Sequence, residues 1–368
     1  MNIEPPASSP ARPDAAAIAA MLGADLAHYA SRVPTAMARE LLAGDQSWLS
    51  PFQIGEPLLR CLTDEMRDWE TVDVLRAIYP ATALSRTRMQ PIAGSVAAIT
   101  CRAHPSLCYY PYIPVSVMAE RRRTAPLIVA VHGSSRNAKD LRDELAAFAE
   151  ERGCFVLAPL FPLDLDRAVP DEEYKQLTGE ILRYDLAFWA MVEELSQATG
   201  VSFERIFLFG FSGGAQFAQR LPFVCAERLA GVVMGAPTYV TLPEPEVSWP
   251  TGLKGFPEHF GRSPALQAMR SLPQAVLCGT ADNAPIRTYS REELGLDAEA
   301  FAAFGGNRIE RMEALRRAYG RSGLPIACHR VEGAAHAWLP IIRAAKPILG
   351  AWVDETMLQP ALADGFTL

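Results

Sequence analysis

Ser212 stands in the run Ile206-Phe207-Leu208-Phe209-Gly210-Phe211-Ser212-Gly213-Gly214-Ala215-Gln216. The pattern is an apolar strand, a Gly-x-Ser-x-Gly turn and the start of a helix. A serine displayed at so sharp a corner takes a strained backbone conformation, with neighbouring chain crowding its flanks. Gly210 and Gly214 relieve that crowding because they carry no Cβ. The helix that follows turns its positive dipole end toward the hydroxyl. The same letters fit an ordinary glycine-rich turn. Placement between an apolar strand and an amphipathic helix is what makes Ser212 a candidate nucleophile.

A serine hydroxyl is a poor nucleophile at neutral pH and needs a base within hydrogen-bond reach. Of the six histidines, His336 has the best context, in Val331-Glu332-Gly333-Ala334-Ala335-His336-Ala337-Trp338. It follows the last strand-like run and precedes a terminal helix, at the sheet edge where ligands bind. His329 falls inside the preceding strand and is expected to pack or hydrogen-bond there. His28, His104 and His259 read as surface or satisfied positions, and His132 as a structural hydrogen-bonder. A carboxylate should hold the far nitrogen of the base and fix its tautomer. Asp282 fits, just past the apolar run ending Cys278-Gly279-Thr280-Ala281. Asp282 also suits a turn or cap, and its rivals are Glu244, Glu246 and Asp297. The oxyanion of an acyl transfer needs two donors. The backbone N–H groups of Gly213 and Ser134 are the candidates, with Gly133 letting the second approach closely.

The elements that must position these groups begin near Gly94. Val96–Cys101, Val115–Met118, Pro126–Val131, Cys154–Ala158, Arg205–Phe209, Gly231–Met234, Ala275–Cys278 and Ile326–Val331 read as strands. Helical patterns cover Ala138–Arg152, Glu172–Ala198, Ala298–Tyr319 and Trp338–Leu358. Fully apolar strands separated by helices imply a parallel sheet covered on both faces. Residues 1–13 hold four prolines and read as a loose tail; from Asp14 to about Tyr79 apolar residues recur at helical spacing, broken at Pro34, Pro51 and Pro57. The chain thus divides into an N-terminal helical region, 1–90, and a catalytic region, 91–368.

Bulk properties exclude several classes. A formal charge of −7 gives no electrostatic footprint for nucleic acid or anionic membrane. The run Arg121-Arg122-Arg123 reads as a solvated turn between two strands. Seven cysteines, an odd number without a Cys-x-x-Cys pair, read as buried free thiols, although Cys101 and Cys108 could pair in an oxidising compartment. No metal site is expected. No apolar run approaches the ~20 residues of a membrane span, and the start of the sequence lacks a basic signal-like region. A cytoplasmic protein is the expectation.

With these residues in view, the chain resembles the α/β-hydrolase superfamily from about Pro91 onward. Within it, the chain is similar to the polyhydroxybutyrate-depolymerase and feruloyl-esterase group. The likeness rests on Tyr110-Pro111-Tyr112-Ile113-Pro114, on Pro126 to Ala138 with its His132-Gly133-Ser134-Ser135 core, and on Gly210-Phe211-Ser212-Gly213-Gly214, Gly279-Thr280-Ala281-Asp282 and His336. The chain order Ser212, Asp282, His336 is that of this class. The resemblance implies an α/β fold with a mostly parallel, eight-stranded sheet flanked by helices, here with an N-terminal helical extension. It also implies ester cleavage through an acyl-enzyme without metal or organic cofactor. The chain departs from secreted depolymerases in lacking a signal peptide and paired cysteines, which argues against a polymer substrate.

Phe211, Trp338 and Trp249 are the candidates for lining a substrate pocket. Trp338 either walls that pocket or anchors the terminal helix. Trp249 lies in the proline- and aromatic-rich stretch Thr238 to Pro264, which reads as a lid or as a long surface loop. The N-terminal helices either cap the pocket, with Trp48 and Phe52 as lining, or join two chains into a homodimer. The expected partner is a small or medium-sized ester. The same triad would also serve an amide, peptide, thioester or C–C bond, and a catalytically silent binding protein is the alternative of another class.

Overall fold

The computed structural model describes residues 93–161, 173–179, 182–286 and 304–363, with single residues at 290, 296 and 301. Contacts separate a unit Pro91–Leu368 from residues 1–90. The helical reading of 1–90, His28, Trp48, Phe52, Cys61 and Asp297 therefore lie outside the described residues.

Nine strands form one sheet. They are β1 (Gly94–Ser95), β2 (Ile99–Thr100), β3 (Cys108–Ile113), β4 (Leu127–Val131), β5 (Phe155–Leu160), β6 (Ile206–Phe211), β7 (Leu229–Gly235), β8 (Gln274–Gly279) and β9 (Ala327–Val331). Their order is β1-β3-β5-β4-β6-β7-β8-β9, with β2 also on β3. From β5 to β9 every pairing is parallel, and the β1, β2 and β3 pairings are antiparallel. The eight-membered path and its parallel core agree with the expected architecture.

Successive side chains of a strand point to opposite faces, and both faces of the central strands, β4 to β8, are buried. In β4, Leu127, Val129 and Val131 enter one apolar cluster, whereas Ile128 and Ala130 enter the other. In β6, Ile206 and Leu208 divide from Phe207, Phe209 and Phe211 in the same way. That two-sided burial is why these strands read as continuous apolar runs rather than alternating ones. Helices cover both faces: α2 (Ala138–Arg152) and α8 (Trp338–Ala363) on the smaller cluster, α3 (Tyr184–Thr199), α4 (Gly213–Cys225), the short α5 (Phe256–Phe260) and α6 (Leu266–Met269), and α7 (Arg308–Arg321) on the larger. Among the described residues no helix is long and apolar enough to cross a membrane.

The chain runs from β4 to β5 on one side of β4, then returns to place β6 on its other side. Such a reversal opens a crevice beyond the carboxyl ends of the two strands. The loop after β4 carries Gly133 and Ser134, and the turn after β6 carries Ser212.

Several expected elements differ. Val115–Met118 is not a strand but part of α1 (Val115–Ala119). Pro114 presets the entry, and the Glu150 carboxylate of α2 accepts from the N–H groups of Val115 and Ser116, at 2.9 and 3.1 Å. That carboxylate supplies the acceptors an N-terminal turn lacks. The Arg121–Arg123 turn consequently follows a helix, with Arg121 at φ 54°. Strand Val96–Cys101 shrinks to Ile99–Thr100, and the true partner is β3, which Pro111 conceals. Pro111 brings no N–H, yet its carbonyl accepts from Val96 N and from the buried Arg142 guanidinium. The helix expected over Glu172–Ala198 is a 3-10 turn, Tyr174–Gln176, then α3. Leu177, in left-handed conformation at φ 68°, separates them. Helix α7 begins at Arg308, because Asn307 Oδ1 caps the Glu310 N–H at 3.0 Å. The described cysteines, Cys101 and Cys108 included, are free thiols. His329 is exposed on β9, the last strand in the sheet order, rather than packed.

Candidate active site

The corner between β6 and α4 holds Ser212 at φ 53° and ψ −111°, a backbone region that L-residues occupy only under tertiary constraint. Two close approaches supply it. A Cβ on Gly210 would lie 2.0 Å from the Gly214 carbonyl oxygen, and one on Gly214 would lie 2.1 Å from the Val131 carbonyl oxygen. The helix packs directly against the ends of β6 and β4 because neither position carries a side chain. The Ser212 N–H donates to Gly235 O of β7 at 2.7 Å, and the Ser212 carbonyl accepts from Ala215 and Gln216. The hydroxyl is thereby fixed by strand, neighbour strand and helix together.

His336 follows β9. Its loop is strapped to the loop after β8: Thr280 N–H donates to Val331 O at 3.0 Å, Ala281 N–H to Ala334 O at 2.9 Å, and Gly333 N–H to Thr280 Oγ1 at 2.9 Å. The same straps place Asp282 beside the imidazole. The His336 Nδ1 to Asp282 Oδ2 distance is 2.8 Å, and His336 Nε2 to Ser212 Oγ is 3.1 Å. A carboxylate only accepts, so Nδ1 carries the proton and Nε2 is left to accept from the serine hydroxyl. The imidazole also stacks on Phe211, with centroids 5.0 Å apart and planes at 29°.

Asp282 is buried, and burial alone would push its pKa up. The hydrogen bond and charge of His336, followed by Arg308, outweigh that and hold the carboxyl below its usual range. Arg308 Nη1 donates to Asp282 Oδ1 at 3.1 Å, and its Nε donates to Thr238 Oγ1 at 3.2 Å. Sequence reasoning missed Arg308. The Asn307-x-x-Glu310 capping signal would have placed it at the first turn of α7, although nothing in the sequence points that turn at Asp282. The rival Glu244 instead pairs with Arg321 at 3.0 Å, and Glu246 is exposed.

The loop after β4 runs against the serine: a Cβ on Gly133 would lie 3.2 Å from Ser212 Cβ. Ser134, next in that loop, is exposed. Gly213 opens α4, so its N–H belongs to the helix start that has no intrahelical acceptor. His132 lies beneath as a strut. Its Nδ1 donates to Gly133 O at 2.7 Å and its Nε2 accepts from Phe161 N–H at 3.0 Å. Complete burial lowers its pKa to about 4 despite the Gly133 hydrogen bond, so it stands neutral at pH 7.

The three pocket candidates separate. Phe211 lies under the imidazole. Trp338 is half-buried and packs on the cluster that includes Phe211. Trp249 is 9% exposed in the other cluster, its ring against Phe256 at 5.3 Å and Phe260 at 5.1 Å. Val240, Leu242, Leu253, Phe256 and Phe260 of the same stretch are buried with it. Among the described residues no group of three or more His, Cys, Asp or Glu is placed to hold a metal ion.

The chain is similar to poly(aspartic acid) hydrolase-1 from Sphingomonas sp. KT-1, with a TM-score of 0.55 and 22% identity, over 70% of this chain and 98% of that one. It is also similar to a poly(3-hydroxybutyrate) depolymerase from Bordetella parapertussis, with a TM-score of 0.52 and 24% identity, over 67% of this chain and 86% of that one. The fold is the α/β-hydrolase fold. No protein-family model matches the chain, and no curated protein does. In this α/β-hydrolase fold Ser212, His336 and Asp282 meet at the carboxyl ends of β6, β9 and β8, and Gly133 and Ser134 follow β4.

Proposed function

We propose that the chain is a serine hydrolase cleaving a small or medium-sized carboxylic ester through an acyl-enzyme on Ser212. One observation carries the proposal: the continuous hydrogen-bonded line from Asp282 through His336 to Ser212, 2.8 and 3.1 Å, ending on a serine in strained backbone at a helix start. His336 takes the hydroxyl proton on Nε2 as Ser212 Oγ attacks the ester carbonyl carbon. Asp282 holds the imidazole in the competent tautomer and stabilises the imidazolium that forms. Negative charge on the carbonyl oxygen is met by the N–H groups of Gly213 and Ser134, each worth about 2.7–4 kcal/mol in the transition state. The imidazolium returns its proton to the departing alcohol, leaving Ser212 acylated. A water then gives a proton to His336 and its oxygen to the acyl carbon, and Ser212 leaves with that proton as the acid is released. Protein groups and water suffice for every step. The free thiols of the described cysteines fit a reducing compartment, and the cytoplasm is the inferred location.

The test is hydrolysis of p-nitrophenyl esters from acetate to octanoate, with a matched anilide for amide cleavage. The wild-type chain is expected to turn over esters in preference to the anilide. Ser212→Ala is expected to lower kcat by roughly 10⁴-fold or more while leaving circular dichroism and melting intact. Wild-type rates in Ser212→Ala would refute the proposal.

A further inference from the structure

Asp282 presents two oxygens, and His336 uses only one. The other is held by Arg308 at 3.1 Å, with the Arg308 side chain 17% exposed and that of Asp282 1% exposed. Arg308 is itself anchored. Its Nε donates to Thr238 Oγ1, and the Thr238 carbonyl accepts from Arg311, a fully buried guanidinium stacked on Tyr239 and Phe304 at 4.5 and 5.0 Å from their centroids. The segment after β7 and the start of α7 are thus tied together against the carboxylate. A cation at the first position of a helix is electrostatically disfavoured by the helix dipole. Arg308 occupies that position all the same, and Asp282 is the anion that offsets it.

We propose that Arg308 is a positioning residue that acts through Asp282: it fixes the carboxylate's plane and draws on its charge, so that the Asp282–His336 pair releases its proton at lower pH. This rests on the ester-hydrolase reading above. Two effects follow from elementary electrostatics. A carboxylate shared with a guanidinium stabilises an adjacent imidazolium less, and the guanidinium itself repels that imidazolium. Both keep His336 available as a base in more acidic solution.

The other charged and titratable groups around the pair do not replace this one. From β8, the Cys278 thiol is pushed up to about 12 by burial and then by the Asp282 charge, and is neutral. From β9, Arg330 is paired with Glu313 at 3.7 Å. On α7, Arg311 acts on Arg308 as a like charge and is hydrogen-bonded to Thr238 O, Gly305 O and the Tyr239 side chain of the segment after β7. Glu310 is turned back onto Gly306 N–H and Asn307.

The experiment reads the rate of fluorophosphonate labelling and kcat/KM for a p-nitrophenyl ester between pH 5 and 9, in wild type, Arg308→Gln and Arg308→Lys. In Arg308→Gln the midpoint of the acid limb is expected to move up by on the order of one pH unit. Labelling at pH 6 relative to pH 8 then falls several-fold, with KM unchanged. Arg308→Lys keeps the charge and is expected to bring the midpoint most of the way back. An acid limb that coincides with wild type, whatever the plateau, would mean that Arg308 serves structure alone. Should Arg308→Gln fail to fold, Thr238→Val frees one end of the guanidinium and is expected to give a smaller upward shift; no shift there overturns the proposal equally. A wild-type chain never labelled at Ser212 overturns the ester-hydrolase reading, and Arg308's role with it. Labelling with an unmoved limb overturns Arg308's role alone.

Discussion

Two stretches of this chain are dense in sequence signals, the corner around Ser212 and the aromatic segment from Thr238 to Pro264, and the structure treats them oppositely. At the corner, each residue type is dictated by atoms close by in space. Gly210 and Gly214 stand where a Cβ would strike backbone, and Ser212 between them takes a strained conformation at φ 53°. In the aromatic segment no local rule fixes where a ring goes. Trp249, Phe256 and Phe260 turn into the larger apolar cluster and pack on one another, where a lid would have presented them to a ligand. Short-range sterics make a motif readable from its letters. The destination of an apolar ring is settled by partners distant in sequence, because hydrophobic burial is non-directional.

Substitutions in the two stretches are expected to act differently. The largest effect is expected at the corner. Gly214→Ala puts a methyl 2.1 Å from Val131 O and 2.6 Å from His132 O, backbone atoms that cannot swing aside. The variant is expected to lose its cooperative thermal transition and all ester hydrolysis; a folded, active Gly214→Ala would show that the corner tolerates what its geometry forbids. Next comes Phe256→Ala in the aromatic segment. A fully buried ring lost from a packed cluster should cost about 3–5 kcal/mol in urea unfolding. The ratio of short-chain to long-chain ester turnover should stay as in wild type, whereas a lid residue would change that ratio and spare stability.

A smaller effect separates struts from reacting groups. His132 is neutral and buried, with a folded-state pKa of about 4 against an ordinary 6.5. The unfolded chain therefore binds the extra proton first. The stability this histidine contributes is complete above pH 6.5 and declines as pH falls toward 4, by up to about 3 kcal/mol. Urea midpoints of wild type should drop faster over that window than those of His132→Gln. Parallel curves would remove His132 from the set of buried neutral struts.

Much of the site was legible because its residues announce themselves by type and by place after a strand. Ser212 and Asp282 each follow an apolar strand and His336 follows the last one, and a parallel sheet brings such positions to one edge. Arg308 was not legible. It lies inside the stretch Ala298–Tyr319 whose spacing predicts one continuous helix, and its partner Asp282 is 26 residues away. Strand β3 was hidden by Pro111, whose missing N–H argues against a ladder until Arg142 and Val96 are seen on its carbonyl. Helix α1 was hidden because Val115 and Val117 favour strands, whereas the Glu150 carboxylate that accepts from its first N–H groups comes from α2, far along the sequence.

The proposed nucleophile is one serine, Ser212, activated by His336. Intact-mass and peptide mass spectrometry after fluorophosphonate treatment at pH 8 tests it directly. One adduct per chain is expected, located on Ser212, absent from Ser212→Ala and slowed at least a thousandfold in His336→Ala. An adduct on another residue, or equal labelling of wild type and His336→Ala, would contradict it.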